Sequence, residues 1–314
     1  RGPLLAPADE CIFRPMRRKL SWQSTTAIFL GSQVLSMLGT SLVQYALMWY
    51  VTLETRSGTM MTLYIICGFL PTLLLSPFAG VWADRHDRKR LIVLSDAIIA
   101  LITLALALAF AGGGRALWLI FLASALRAVG TAVQGPAVGA IVPQFVPPDQ
   151  LMRVNGISTT LQSAIMLASP VASGALVSLV PMHIVFLIDL ATAAVAIGIL
   201  VLFLRVPPHA RAGEAARPSP FEDLRLGFRY VRDHRSLVPF FVYLAVLLFL
   251  VSPAAFLTPL QVARTYGADV WRLTAIEVAF SAGMMAGGAI LSAWGGFKNR
   301  IHTMVLANAA MAGL

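Results

Sequence analysis

Residues 80–90 read GVWADRHDRKR: a glycine, two aspartates and five basic or potentially basic groups, set between two long apolar runs. The stretch stands out against its chain, which has 314 residues, 58% hydrophobic and only 12% charged. Soluble globular domains carry about 25% charged residues, so this chain cannot cover a water-facing surface. Its apolar runs approach the ~20 residues a helix needs to cross a bilayer and far exceed the ~10-residue strands of a membrane barrel. In hydrocarbon every backbone polar group must be satisfied within the protein. The composition therefore specifies an all-α polytopic membrane protein.

Working outward from residues 80–90, charge-poor runs mark the spans. They cover residues 26–51, 59–79, 91–111, 116–141, 156–180, 184–204, 237–260 and 273–293. A ninth starts at Ile301, and the sequence stops at Leu314 in mid-span. Residues 1–25 read as a cytoplasmic tail, 26–204 as an N-terminal six-helix bundle, 205–236 as a cytoplasmic linker and 237–314 as part of a C-terminal bundle. The opening RGPLLAPADECIFRP lacks an initiating Met, whereas MRRKLSW from Met16 suits a natural start. Residues 1–15 therefore read as a tail or as upstream translation. A charged start before an apolar run also describes a signal peptide, but no small-residue cleavage site follows and the run is span-length; a retained first helix is expected.

The net charge of +10 lies in the connections. With the N-terminus in the cytoplasm, the inside segments hold 19 of the 24 Lys and Arg, and the outside loops only Arg56, Arg115, Arg264 and Arg272. That asymmetry is the positive-inside signal of the cytoplasmic membrane, not a nucleic-acid surface. None of the three lysines (Lys19, Lys89, Lys298) follows a phosphate-loop glycine pattern. Cys11 and Cys67 have neither disulfide nor metal spacing. The histidines (His86, His183, His209, His234, His302) are scattered, which leaves no catalytic or metal cluster and no cofactor to expect.

Topology accounts for Arg85, Arg88, Lys89 and Arg90 as anchors of a cytoplasmic turn, but carboxylates contribute little to topology. Asp84 and Arg88, four residues apart, suggest an ion-paired turn. Gly80 suggests close approach of a neighbouring helix, and Asp87 a left-handed backbone position. The pattern Gly80, Asp84, Arg85, Arg88, Lys89 resembles the signature turn between the second and third helices of the major facilitator superfamily, with Asp87 where glycine is common. LRAVGTAVQGPAVGAIVPQFVP from Leu126 resembles the fourth helix of its drug-exporter branch, and LGTSLVQYALMWYVT from Leu38 that branch's first helix. WGGFKNRIHT from Trp294 stands where a degenerate second turn is expected, keeping Gly295, Lys298 and Arg300.

The resemblance is closest to macrolide-exporter-like drug:proton antiporters. It implies an incomplete major facilitator fold: about eight full transmembrane helices and a partial ninth, of an expected twelve, in two halves around a cavity. It also implies that the turn latches helix ends and biases two access states. Residues 220–236 place Phe221, Leu224, Phe228 and Val231 at helical spacing opposite Arg225, Arg229, Arg232 and Arg235, an amphipathic helix for an anionic membrane surface.

Charge inside a span costs about 2.5–3.5 kcal/mol on insertion scales, so such residues point to function. Arg127, eleven residues into the fourth span, must face the cavity or an acidic partner; the resemblance links it to proton coupling. Asp189 and Glu277, at shallow depth in the sixth and eighth spans, are the other proton-coupling candidates. Asp96 is expected to pair with the arginines of the turn. Gln44, Tyr45 and Trp49, with Gln134 and Gln162, are candidates for lining a cavity for a bulky amphiphile, Gln44 and Trp49 on roughly one side; Trp49 equally suits an interface anchor. Pro71, Pro77, Pro136, Pro170 and Pro253 interrupt spans, and Ser169-Pro170 with Gly174 resembles the fifth-helix motif of antiporters, with Ser where Gly is usual.

Two readings stay open: a monomeric exporter whose partners are a small-molecule substrate, protons and the lipid bilayer, its cargo a drug-like molecule, a siderophore or another metabolite; or a membrane fragment or scaffold that transports nothing.

Overall fold

The first helix begins where Ser21 turns its hydroxyl back to accept the Ser24 amide, at 3.2 Å, which satisfies one of the free N–H groups of a helix start. The computed structural model of the protein describes residues 21–114, 116–204, 220–234, 237–267, 269–294, 297 and 300–312. Ten α-helices run through them: α1 (Trp22–Thr55), α2 (Gly58–Arg85), α3 (Arg88–Ala111), α4 (Leu117–Ile141), α5 (Leu151–Leu179), α6 (Met182–Phe203), α7 (Pro220–Asp233), α8 (Leu237–Tyr266), α9 (Val270–Trp294) and α10 (Arg300–Ala312). No strand occurs among the described residues. The tail at residues 1–20, the linker at 205–219, Arg115, Arg235, Gly295 and Lys298 lie outside them.

Seven helices, α1–α6 and α8, are long and apolar enough to cross a membrane, and the run expected as an eighth span forms the 25-residue α9. The helices outrun the apolar runs, α1 reaching 34 residues, because helix geometry continues into the polar flanks. Pro71 and Pro77 lie inside α2, Pro136 inside α4, Pro170 inside α5, and Pro253 and Pro259 inside α8. None of them ends its helix, as membrane helices tolerate when neighbours re-satisfy the freed carbonyls.

Within α1–α6 the principal packings are α2 with α4, α3 with α4 and α6, and α1 with α5 and α6. One apolar core lies at the end bearing the residue 86–87 turn, around Phe29, Ile92, Ile141 and Leu200. A second lies at the far end, around Leu47, Leu106, Ile120 and Phe186.

Helices α8 and α9 meet this bundle through α5, α1 and α2. Trp49 forms a third core with Val262 and Leu273. A Cβ on Gly58 would stand 3.5 Å from Leu260 Cδ2. The two guanidinium nitrogens Nε and Nη2 of Arg264 donate to the Arg56 carbonyl at 3.0 and 2.9 Å. Arg56 presents that carbonyl from a left-handed conformation, φ 46°, an uncommon state for a non-glycine residue. Nearer mid-bundle, Ser281 Oγ reaches the Met166 carbonyl at 3.5 Å. These contacts run from the middle of the bundle to the far end. The opposite half of α5 is solvent-accessible on most of its circumference, including Arg153, Asn155, Thr159, Thr160, Gln162 and Ser163. Among the described residues, the contacts between the two groups of helices thus lie from mid-bundle to the far end.

Candidate functional site

Four helices converge on one guanidinium. Arg127 on α4 is 6% exposed and Asp189 on α6 is 1% exposed, and Arg127 Nη1 lies 2.8 Å from Asp189 Oδ2. The same nitrogen donates to Thr103 Oγ1 on α3, and Nη2 donates to the Thr40 carbonyl on α1 at 3.3 Å. Thr103 Oγ1 stands 2.9 Å from both Asp189 Oδ2 and the Ile99 carbonyl. The planar fork of arginine allows one cation to reach three helices at once. A buried charge is tolerated when paired and hydrogen-bonded, and both partners here meet that condition. Space is tight: a Cβ on Gly39 of α1 would stand 2.7 Å from Asp189 Oδ1, so glycine is needed for α1 to pass this carboxylate.

Asp189 was expected near the membrane interface. It stands seven residues into α6, buried by the face that packs on α1 and α3. Thr103, Thr40 and Gly39 carry no charge and escaped notice in the sequence; the one available signal was a lone Thr in the apolar run LITLALAL.

Asp96 lies seven residues before Thr103 on α3, about 10 Å along the axis. It does not pair with the arginines of the turn. At 2% exposed, its Oδ1 accepts from Ser36 Oγ on α1 and Gln134 Nε2 on α4, each at 2.6 Å. Its Oδ2 is buried without a hydrogen-bond partner, as is Gln33 Nε2, three residues before Ser36. Helical phase explains the difference: Asp96 faces α1 and α4, whereas the turn's side chains leave from the first turn of α3.

In the turn, Arg88 Nε donates to the Ala83 carbonyl at 3.0 Å and Nη1 to the Ala140 carbonyl of α4 at 2.6 Å. Lys89 Nζ donates to the Leu204 and Val201 carbonyls at 2.7 and 3.3 Å. A cation is favoured there by the free carbonyls and the negative dipole end of α6. Two cations thus tie the start of α3 to the ends of α4 and α6. Arg85 is exposed, and the Asp84 side chain lies outside the described residues. Two expectations are corrected. Asp87 is not left-handed: at φ −63° and ψ 111° it caps α3, accepting the Arg90 amide at 3.1 Å. Gly80 makes no close approach, since a Cβ there meets nothing within 4 Å.

At the far end, Tyr45 and Trp49 lie one turn apart on α1, ring centroids 5.8 Å apart. Trp49 is fully buried among α8 and α9 residues, so it is neither an interface anchor nor on the same side as Gln44, which is exposed. Five residues at 3.6 per turn separate the two by about 140°. Glu277 of α9 is half-buried and approaches Tyr45. Gly174 of α5 lies against α9: a Cβ there would collide with Thr274 Oγ1 and stand 3.3 Å from Thr274 Cβ and from Trp49 Cζ3. Pro170 is buried one turn earlier. Gln162 is exposed, bonded to Ser158 at 3.3 Å, and Pro136 lies one turn of α4 beyond Ala132, near Gln134. The structure therefore gathers Arg127 with Asp189, Asp96 with Gln134, and Tyr45, Trp49, Gly174 and Glu277 around the junction with α9. Gln44 and Gln162 stay apart from these groups. No cluster of His, Cys, Asp and Glu able to hold a metal occurs among the described residues.

Comparison with known proteins agrees with this architecture. The chain is 27% identical over 299 residues to "Macrolide efflux protein A" of Streptococcus pyogenes, covering 95% of this chain and 73% of the relative. It is 29% identical over 249 residues to the protein of the same name from Enterococcus faecalis, covering 79% and 76%. A shorter match, 28% over 134 residues, relates it to the "Staphyloferrin A transporter" of Staphylococcus aureus, covering 42% of this chain and 33% of that protein. Residues 29–314 match the Major Facilitator Superfamily family. With these relatives, its membrane-spanning helices and an arginine–aspartate pair at the heart of the first six of them, the chain belongs to the major facilitator superfamily of multi-pass membrane transporters.

Proposed function

We propose that the protein exports amphiphilic, macrolide-like small molecules across the cytoplasmic membrane by proton antiport and alternating access. The observation that carries the reading is the buried Arg127–Asp189 pair in a six-helix bundle whose contacts with α8 and α9, among the described residues, run from mid-bundle to the far end. A transporter of this design rocks one helix group against the other around a midplane site. The pair lies within one of those groups, where it joins four helices, and protonating Asp189 would free Arg127 for another partner.

The distribution of Lys and Arg supports an N-terminus, and hence the residue 86–87 turn, on the cytoplasmic side. In that orientation the described conformation opens inward. The boundaries proposed are 26–204 for the first bundle and 237–314 for the second. The linker between them carries α7, whose Arg225, Arg229 and Arg232 are exposed and whose contacts with α2 and α8 tie the halves at an anionic surface. Glu277 is proposed to contribute to proton coupling, and Tyr45 opposite it to the substrate cavity.

The test uses everted vesicles containing the protein and carrying an established proton gradient. Adding a macrolide should dequench a pH dye, and Arg127→Ala should abolish the signal while the protein still inserts. A signal unaffected by Arg127→Ala would refute the coupling role. The partial match to a staphyloferrin A transporter favours a second cargo, a secreted siderophore; competition between a macrolide and a carboxylate siderophore in the same vesicles separates the two.

A further inference from the structure

We propose that Asp96 is the residue that holds the transported proton in this access state, at its Oδ2 atom, while Asp189 stays ionised opposite Arg127. The inference rests on the antiport reading for its transport meaning, but its chemistry stands on the local geometry. Among the described residues of the bundle, two carboxylates are buried to 2% or less, and their surroundings differ. Asp189 has a guanidinium at 2.8 Å. Asp96 has only neutral donors, the Ser36 hydroxyl and the Gln134 amide, both on Oδ1.

An ionised carboxylate spreads its charge over two oxygens, each able to accept two bonds. A neutral acid has one carbonyl oxygen that accepts and one hydroxyl that does not need a donor. Two donors crowded on Oδ1 and none on Oδ2 match the neutral acid. Leaving a hydroxyl without an acceptor costs far less than leaving a charge without a counterion.

No cation stands in to change this. On α4, Arg127 is committed to Asp189, Thr103 and Thr40, seven residues from Gln134. On α6, the charge of Asp189 is matched by Arg127, and His183 lies at the far end. On α1 the only charged residue is Glu54, also at the far end. On α3 itself, Arg88, Lys89 and Arg90 lie six to eight residues away, and Arg88 and Lys89 bind carbonyls of the neighbouring helix ends. At the end of α2, Arg85 is exposed.

The two carboxyls thus take separate parts: one stays charged by pairing, the other stays neutral by isolation. Such a division of environments is how proteins assign acid and base roles to like groups. Substrate entering from the turn end, while this access state lasts, opens the Asp96 site to water. The Oδ2–H bond then breaks, the proton passes to water, and Ser36 and Gln134 remain as donors to the carboxylate left behind.

Infrared difference spectroscopy on the purified protein in proteoliposomes tests the assignment, with light and heavy water to mark exchangeable carboxyl protons. A protonated-carboxyl band at neutral pH should disappear in Asp96→Asn and persist in Asp189→Asn; a band that survives Asp96→Asn overturns the proposal. Asparagine resembles the neutral acid in shape, so Asp96→Asn should keep the thermal midpoint of the parent at neutral pH. A large fall would mean that a charged carboxylate was lost, and would also overturn it. Macrolide-driven proton release is read in parallel. Release in the parent that continues unchanged in Asp96→Asn refutes Asp96 as carrier and leaves antiport standing. A band lost in Asp96→Asn without proton release in the parent supports the protonated site and refutes antiport.

Discussion

Replacing Gly174 by alanine places a methyl group into the contact between α5 and α9. The new Cβ would overlap Thr274 Oγ1 and stand 3.3 Å from both Thr274 Cβ and Trp49 Cζ3. Two of these neighbours cannot give way easily: Trp49 is fully buried, and Thr274 is held by its bond to the Val270 carbonyl at 2.9 Å. Overpacking of this kind costs about 1–3 kcal/mol. The strain exists only while the far end is closed, so it disfavours this state alone and shifts the equilibrium toward far-end opening by roughly 5- to 150-fold. The assay is the rate at which an impermeant maleimide, added to intact cells, labels a cysteine at Leu53, in the core that closes this end. Gly174→Ala should raise that rate by about tenfold or more, within the range just given. Adding Thr274→Ala, which removes the overlapping oxygen, should recover part of the effect. Gly198→Ala, whose Cβ meets nothing within 4 Å, should leave the rate unchanged. An unchanged rate in well-expressed Gly174→Ala would show that α5 and α9 do not gate this end.

Other perturbations have equally definite outcomes. Arg127→Ala leaves Asp189 buried without its cation, and breaking one side of such a pair costs about 3–5 kcal/mol. The thermal midpoint should fall, and Arg127→Ala with Asp189→Ala should restore much of it; a double variant as unstable as the sum of the singles would mean no coupling. Gly39→Ala drives a Cβ to 2.7 Å from Asp189 Oδ1 and should lower transport more than expression, read as uptake per mole of inserted protein. Lys89→Met removes the cation from the last carbonyls of α6 and should cost about 0.3–1 kcal/mol; the check is faster proteolysis after Leu204.

Much of the fold could be read from the residues. Span order follows from charge-free length alone, and Arg127 announces itself as a charge that cannot reach the interface. What the sequence could not supply is rotational phase. Whether Asp96 faces its own turn or the opposite helices depends on about 100° per residue, and on where helices really begin. The apolar runs locate helix starts poorly because helices continue into polar flanks, as at Leu151, five residues before the expected span. The same uncertainty joined Gln44 to Trp49. Gly80 and Gly174 show the limit from the other side: identical residues in helical runs, one beside open space and one tight against Thr274 at the α5–α9 junction, distinguished only by what tertiary packing brings near.

Thr103 has one hydroxyl proton and two acceptors at the same 2.9 Å, the Ile99 carbonyl of its own helix and Asp189 Oδ2. Hydroxyls that bond back to their own helix tend to bend it, so the choice of acceptor tunes the curvature of α3. While the ion pair is intact, the carboxylate competes for that proton; when Asp189 leaves or takes a proton of its own, the hydroxyl falls back wholly to Ile99. The straightness of α3 therefore becomes a running record of the pair's condition.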